Sequence, residues 1–461
     1  MVSTGLNHAV VIGSSFAGIT AARVLSDHFA RVTVVERDEL TDESAVRRGV
    51  PQGSHVHGIL KLGREILDDL FPGFVEETQR EGAVFIDQIA NGAGWTPHGW
   101  SIARGPTSLK GYGVRRPLLE LVARRRLFAL PRVELVQGRV QGLRAAGGRV
   151  CGVVLDGADD GSRTLDADFV VDASGRGSVA PGWLEEAGFE VPTDTVVNAF
   201  GGYASRLIRV PDVWPDGVRF AAALPAPGAT KGAIVYPQDN GLYIVSLFGL
   251  SRDYPPGNEE GFDAFLRGCR IPLMHTIVSQ SEKVNAIRTS RSTANRWRHY
   301  EKLADPPVGF VAVGDAALAA NPMYGQGIST ACLGAVTLGQ TIVDADGDLA
   351  KVPRDFFARQ ATNNVFPWEL AIGYDLRFPD TVGQRPTPTP ELLERGRYLD
   401  TLSQVATEDL EVSEALLLST HIYDRSRLFE PDFVAKVEAW RAAGRRPRFT
   451  DPTRPPWEAA A

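Results

Sequence analysis

Two glycine-bearing segments, about three hundred residues apart, carry residue types that can grip different parts of one long cofactor. The first, Val10-Val11-Ile12-Gly13-Ser14-Ser15-Phe16-Ala17-Gly18, passes from an apolar strand pattern through a small-residue turn into a helix pattern. Gly13 lets the chain turn tightly after the strand, and Gly18 lets the helix pack close to the sheet. The helix start at Ser15, Phe16 and Ala17 then offers unpaired backbone N–H groups to a pyrophosphate. Ser15 stands where such loops carry their middle glycine; it is small, but it crowds a phosphate more than hydrogen would. Glu36 ends the next β-branched run, where a carboxylate can accept from both ribose hydroxyls and repels a 2′-phosphate. FAD or NAD is therefore expected here rather than NADP, with Arg37 either lying along adenine or facing solvent.

The second segment, Phe310-Val311-Ala312-Val313-Gly314-Asp315-Ala316, brings an acid to the end of another strand. It is followed by Asn321-Pro322-Met323-Tyr324-Gly325-Gln326-Gly327, and then by the helix pattern that begins near Ile328. FAD has a ribityl chain between pyrophosphate and ring, and Asp315 can bind one of its hydroxyls; NAD has no such chain. The helix start at Gly327 can aim its positive end at the N1–C2=O edge of a flavin, where negative charge collects on reduction. Gly325 and Gly327 leave backbone close to such a ring. A third strand end, Val170-Val171-Asp172-Ala173-Ser174-Gly175, supplies Asp172 to fix a tight turn, with Gly175 beside it and Ser178 as a cap for the segment beyond.

The elements that must carry these residues follow from the apolar periodicity. His8 to Ile12 and Arg31 to Glu36 read as strands around a helix from Ile19 to Phe29, a βαβ unit. Helical spacing runs from His57 to Phe71 and from Pro117 to Leu127, and Ile328 to Val343 is a helix of small residues. The expected class is α/β: a Rossmann-like FAD-binding domain with an inserted β-sheet substrate domain and a C-terminal helical region. Residues 1–83, 112–190 and 285–350 are assigned to the FAD-binding domain, 84–111 to an excursion from it, 191–284 to the substrate-binding sheet and 351–461 to the helical region.

Composition narrows the class. With 461 residues, 43% of them apolar, the chain can build more than one core. A net charge of -7 gives no electrostatic reason to expect nucleic acid. Cys151, Cys269 and Cys332 are too few and too scattered for a disulfide framework, and no apolar run is long enough for a transmembrane segment. A cytoplasmic enzyme is expected, its oligomeric state left open.

The Gly13–Gly18 loop with Glu36, the Asp168–Ser178 segment and the Gly314–Gly327 segment together resemble the para-hydroxybenzoate hydroxylase class of FAD-dependent monooxygenases. More narrowly, Arg47-Arg48-Gly49-Val50-Pro51-Gln52-Gly53-Ser54-His55-Val56-His57-Gly58 resembles a loop of actinobacterial epoxidases that act on polyene precursors of polyether antibiotics. The resemblance implies that Arg48 and Arg116 belong to the FAD site, Arg116 at the diphosphate, with its neighbour Arg115 an open alternative. It also implies Pro322, Gly325 and Gly327 flanking the isoalloxazine, NAD(P)H and O2 as co-substrates, and oxygen transfer to an alkene through a flavin C4a-hydroperoxide. Such chemistry is centred on the flavin, so no catalytic side chain and no metal is named. Aromatic hydroxylation is the alternative, followed by a flavin-dependent reductase or dehydrogenase; a flavin halogenase would need a lysine between flavin and substrate.

Trp95, Trp100, Phe220, Tyr236 and Phe248 are the candidates for lining a cavity that takes a large, mostly apolar small molecule, since their stretches hold no charged cluster to anchor a small acid. His55 and His57 have strand-like spacing, and loop packing or an FAD contact is favoured for them over substrate or proton handling.

Overall fold

The computed structural model describes residues 6–156, 163–423 and 425–457. At its centre five parallel strands lie in the order Phe310–Ala312, Phe169–Asp172, His8–Ile12, Arg31–Glu36, Val133–Gln137. The strand His8–Ile12 is buried along its whole length, which is why it reads as an unbroken apolar run rather than an alternating one. Register sets Ile12 opposite both Asp172 and Val35, and Asp172 opposite Ala312. The carboxyl ends of four strands therefore finish at one level, the edge at which open α/β sheets bind their ligands.

The helix Phe16–Leu25 comes directly after the first strand and packs against the helix Gly327–Asp344, which joins the N-terminal and distal motifs in one layer. Helical periodicity continues back to His57 in sequence, yet the helix begins at Lys61. Residues 55–58 are instead drawn out straight by hydrogen bonds that His55, Val56 and His57 make to other parts of the chain.

A second, eight-stranded sheet is built from the strands Gly202–Arg209, Tyr243–Gly249, Lys231–Pro237 and Phe220–Ala223, extended at one end by Gly92–Thr96 and Gly99–Trp100 and at the other by the short strands Glu282–Lys283 and Arg288–Ser290, which both pair with Gly202–Arg209. Its two faces differ. Ala204, Ala221, Ala233, Val235, Val245 and Leu247 point to a core closed by the helices Glu259–Arg267 and Pro272–Ser279. The alternate residues, among them Phe220, Tyr236 and Ile244, gather on the other face with Ile86 and the partly buried Val56.

The long helix Val352–Asp375 packs on Gly327–Asp344, and the helices Pro390–Val405, Leu410–Thr420 and Pro431–Ala442 form a small core of their own around Leu402, Val412 and Phe433. This region clasps the rest of the molecule at several points. The Thr407 carbonyl accepts from the Ile102 and Ala103 amides, and His421 Nδ1 accepts from the Lys61 amide at 3.1 Å. Among the described residues no helix is long and apolar enough to cross a membrane.

Candidate cofactor site

The small-residue loop has the shape its sequence implies. Gly13 has φ +101°, and a Cβ there would lie 2.8 Å from the Ala173 carbonyl oxygen; a Cβ on Gly18 would lie 1.8 Å from the Gly13 oxygen. Neither position admits a side chain without moving backbone. The distal segment arrives at the same place, since a Cβ on Gly314 would lie 2.8 Å from that of Ala17. Asp172 is fully buried and closes its turn by accepting from the amide and hydroxyl of Ser174 and the hydroxyl of Ser178, with Gly175 in the turn it closes. Asp315 is partly exposed; its Oδ1 lies 3.5 Å from where a Gly327 Cβ would stand, at the start of the 18-residue helix whose second residue, Ile328, is buried. Pro322 is exposed, with Gly325 between it and that helix.

A buried network of charges lies beside the loop. Glu36 accepts from the Ser14 amide and hydroxyl and, through its other oxygen, from the Asp38 amide. Burial works against its charge, but those donors and Arg47 hold the carboxyl below the usual carboxylate range. Arg47 reaches 3.2 Å from Glu36 and 3.0 Å from Glu120. Glu120 also takes the Ser15 hydroxyl at 2.8 Å and Arg116 Nε at 2.9 Å, and despite almost complete burial these partners keep it below the ordinary range too. Arg116 completes the circuit by donating to Ser15 Oγ at 2.7 Å and to His57 Nε2 at 3.0 Å. Burial and the Arg116 charge press His57 down to about 3, so it stays neutral and accepts.

The paired arginines point in different directions. Arg115 turns away to Asp239, 2.6 Å distant, while Arg116 faces the loop. Of the other pair, Arg47 is the buried member and Arg48 is exposed, so Arg47 and not Arg48 meets Glu36. Arg37 and Arg48 line the outer cavity of about 420 Å³ that opens next to Asp38 and Arg47. Sequence reasoning missed Arg47 and Glu120; the four-residue spacing of Arg116 and Glu120 on one helix was the available signal.

The proposed cavity-lining residues divide between the two faces of the large sheet. Phe220 and Tyr236 stack edge to face at 5.2 Å on the face turned to Val56, and Phe248 lies against Tyr203 at 5.4 Å. Trp95 and Trp100 belong to the opposite face, which corrects their assignment. Strand alternation puts Trp95 with Ala93 in the helix-covered core, and Trp100 is sealed there between Trp95 and Trp457, with its indole N–H donated to the Asp451 carbonyl.

Several features fit a bound dinucleotide with a ring at its far end. Among the described residues Arg47 Nε is buried without a hydrogen-bond acceptor, as a donor waiting for an anion would be, while its Nη1 already lies 3.2 Å from Glu36. Gln326, 1% exposed at the start of the helix Gly327–Asp344, has no partner for either amide atom among the described residues. Glu36 Oε1 takes only the Asp38 amide, leaving a lone pair for a ribose hydroxyl.

Comparison with known proteins agrees with this reading. The family model described as FAD binding domain matches residues 7–347. Protein Rv3254 of Mycobacterium tuberculosis is 34% identical over 360 residues, which is 75% of each chain. The structure of the flavin-dependent brominase Bmp2 superposes with a TM-score of 0.65 at 15% identity, covering 95% of this chain and 100% of that one. PqsL of Pseudomonas aeruginosa, a probable FAD-dependent monooxygenase, gives 0.56 at 15% identity over 80% of this chain and 98% of its own.

Proposed function

Since the chain belongs to the FAD-binding-domain family, we propose that it is an FAD-dependent monooxygenase that epoxidises alkenes of a large apolar polyene or polyketide, using O2 and NAD(P)H. The observation that carries this reading is the apolar sheet face of Phe220, Tyr236 and Ile244, turned toward the same 55–58 segment that reaches the nucleotide loop through His57 and Arg116. A charged substrate would find no counter-ion among those three side chains.

FAD, when bound, supplies the redox chemistry and the activation of oxygen. The chain's own residues bind and orient it. Glu36 would hold the adenosine ribose, Arg116 and Arg47 the diphosphate, and Asp315 the ribityl chain, while the start of the helix Gly327–Asp344 would favour negative charge at the ring. The aromatic sheet face would keep water from the reacting alkene, and the C-terminal clasp on Lys61 and Ile102 would close the chamber.

Hydroxylation of an aromatic polyketide is a second reading, favoured by the polar group of Ser205, Ser246 and His55 set into that face. Halogenation is less well supported. Lys61 is paired with Glu65 and Lys110 with Asp87, so neither is a free ammonium poised over the sheet.

Turnover under labelled O2 with a panel of polyenes and phenols tests the proposal by mass analysis of the product. One labelled oxygen per alkene is the expected outcome. Label on a phenolic ring would select the second reading, and a reduced product without label would replace both by a reductase.

A further inference from the structure

Two serines interrupt the otherwise apolar face of the large sheet. Ser205 and Ser246 sit directly opposite each other on neighbouring strands, both fully buried, flanked on that face by Tyr203, Leu207, Ile244 and Phe248. A buried hydroxyl is costly unless paired. Here the pairing has a direction. The Val56 amide, which can only donate, gives its hydrogen to Ser246 Oγ at 3.2 Å; Ser246 lies 2.7 Å from Ser205 Oγ, and Ser205 lies 2.8 Å from His55 Nδ1. If both hydroxyl hydrogens are to be used within this chain, Ser246 donates to Ser205 and Ser205 donates to His55 Nδ1. The imidazole proton then sits on Nε2.

His57, two residues on, has the other tautomer. Its Nε2 accepts from Arg116, and its Nδ1–H donates to the His55 carbonyl at 3.0 Å. His55 Nε2 has no hydrogen-bond partner among the described residues, and the residue as a whole is half-buried. Burial pushes His55 down to about 4, so the ring is neutral and Nε2 is a neutral N–H donor. The ring also lies 5.6 Å from that of Tyr203, whose hydroxyl donates to Asn321 in the loop that leads to Gly327. His55 is thus poised where the sheet face meets the cofactor loops.

We propose that His55, held by Ser205 and Ser246, determines specificity by donating its Nε2–H to a hydroxyl or carbonyl oxygen of an otherwise apolar substrate. The inference rests on the monooxygenase reading and narrows it to oxygen-bearing alkenes rather than plain hydrocarbons. Ser205 and Ser246 act through the ring, as positioning residues.

The test uses the FAD-loaded enzyme and two probes, farnesol and its deoxygenated hydrocarbon, titrated against the flavin absorbance. The wild type is expected to bind farnesol roughly tenfold more tightly, about the worth of one neutral hydrogen bond. His55→Phe, which keeps a ring beside Tyr203, is expected to erase that preference without changing FAD affinity or hydrocarbon binding. Nitrogen NMR of histidine-labelled enzyme is expected to show His55 as the Nε2–H tautomer and His57 as the Nδ1–H tautomer, with Ser205→Ala releasing the first and not the second. The proposal is overturned by an Nδ1–H tautomer at His55, by no response to either probe, by a preference that survives His55→Phe, or by loss of FAD from that variant, which would make His55 a flavin contact. A wild type that takes up no FAD defeats the monooxygenase reading instead.

Discussion

The Gly13–Gly18 loop with its surroundings and the Phe220–Tyr236 face of the large sheet are built on opposite principles. Around Ser15 the chain buries Glu36, Arg47, Arg116 and Glu120 in mutual contact, whereas the sheet face offers rings and aliphatic groups with a single polar break at Ser205 and Ser246. Charge removed from water must be compensated from every side, so the first region tolerates few changes. The second selects mainly by shape, and its residues can vary with the substrate at less cost to the fold. A cofactor shared by a whole family and a substrate particular to one protein would place those demands at those two ends.

The largest expected effect falls on the charged end. Glu120→Ala strands Arg47 and Arg116 in a buried site, and a loss of about 3–5 kcal/mol is expected in denaturant unfolding, as for other broken buried pairs. A loss below about 1 kcal/mol would show that the network is solvated in solution and would weaken the contrast between the two regions. Trp100→Ala should cost a similar amount, about 3–5 kcal/mol, by opening a cavity in the helix-covered core. Because Trp100 lies on the helix-covered face of the sheet, the choice among substrates should stay unchanged in the folded fraction; an altered product profile would place it at the substrate instead.

A smaller effect is expected from Asp315→Ala. It would remove one proposed hydrogen-bond partner of the ribityl chain at a partly exposed position, and FAD should bind roughly tenfold more weakly by equilibrium titration. Unchanged flavin retention would remove Asp315 from the site.

A further effect concerns pH. His55, His57 and His421 are all lowered by burial, to about 4, 3 and 4, from 6.5. Their neutral forms are favoured by folding, so their contribution is complete above pH 6.5. As the pH falls below that value the unfolded chain takes up protons that the native rings refuse, and stability drops by up to about 1.4 kcal/mol per pH unit for each ring. Thermal melts between about pH 7 and 5 should show this fall, and His421→Gln should make it shallower by about a third. A slope unaffected by the substitution would mean that His421 is solvated.

Much of the nucleotide end was legible because its requirements are local. A strand, Gly13, Gly18 and the acid that ends the next strand come one after another within a single βαβ unit, and the helix starting at Gly327 lies immediately after its loop. The Arg47–Glu120 contact was not legible, since its partners come from a loop and a helix seventy-three positions apart and no spacing rule joins them. The helical period from His57 to Leu60 misled for a related reason: side-chain bonds to the sheet and to Arg116 outweigh local propensity there. Among the aromatic residues, alternation sorts neighbours on one strand, but which face of the sheet looks toward the cofactor depends on what each face is packed against.

What the amino-acid order determined alone is the α/β class and the kind of cofactor, through glycines that a close backbone approach requires and acids at the ends of apolar strands. The tertiary structure decided which of two adjacent arginines turns inward, that Trp95 and Trp100 belong to a core rather than a chamber, and that two buried serines orient His55. Those outcomes depend on contacts between distant segments, whose energies are set by burial and partner geometry rather than by the residues nearby in the chain.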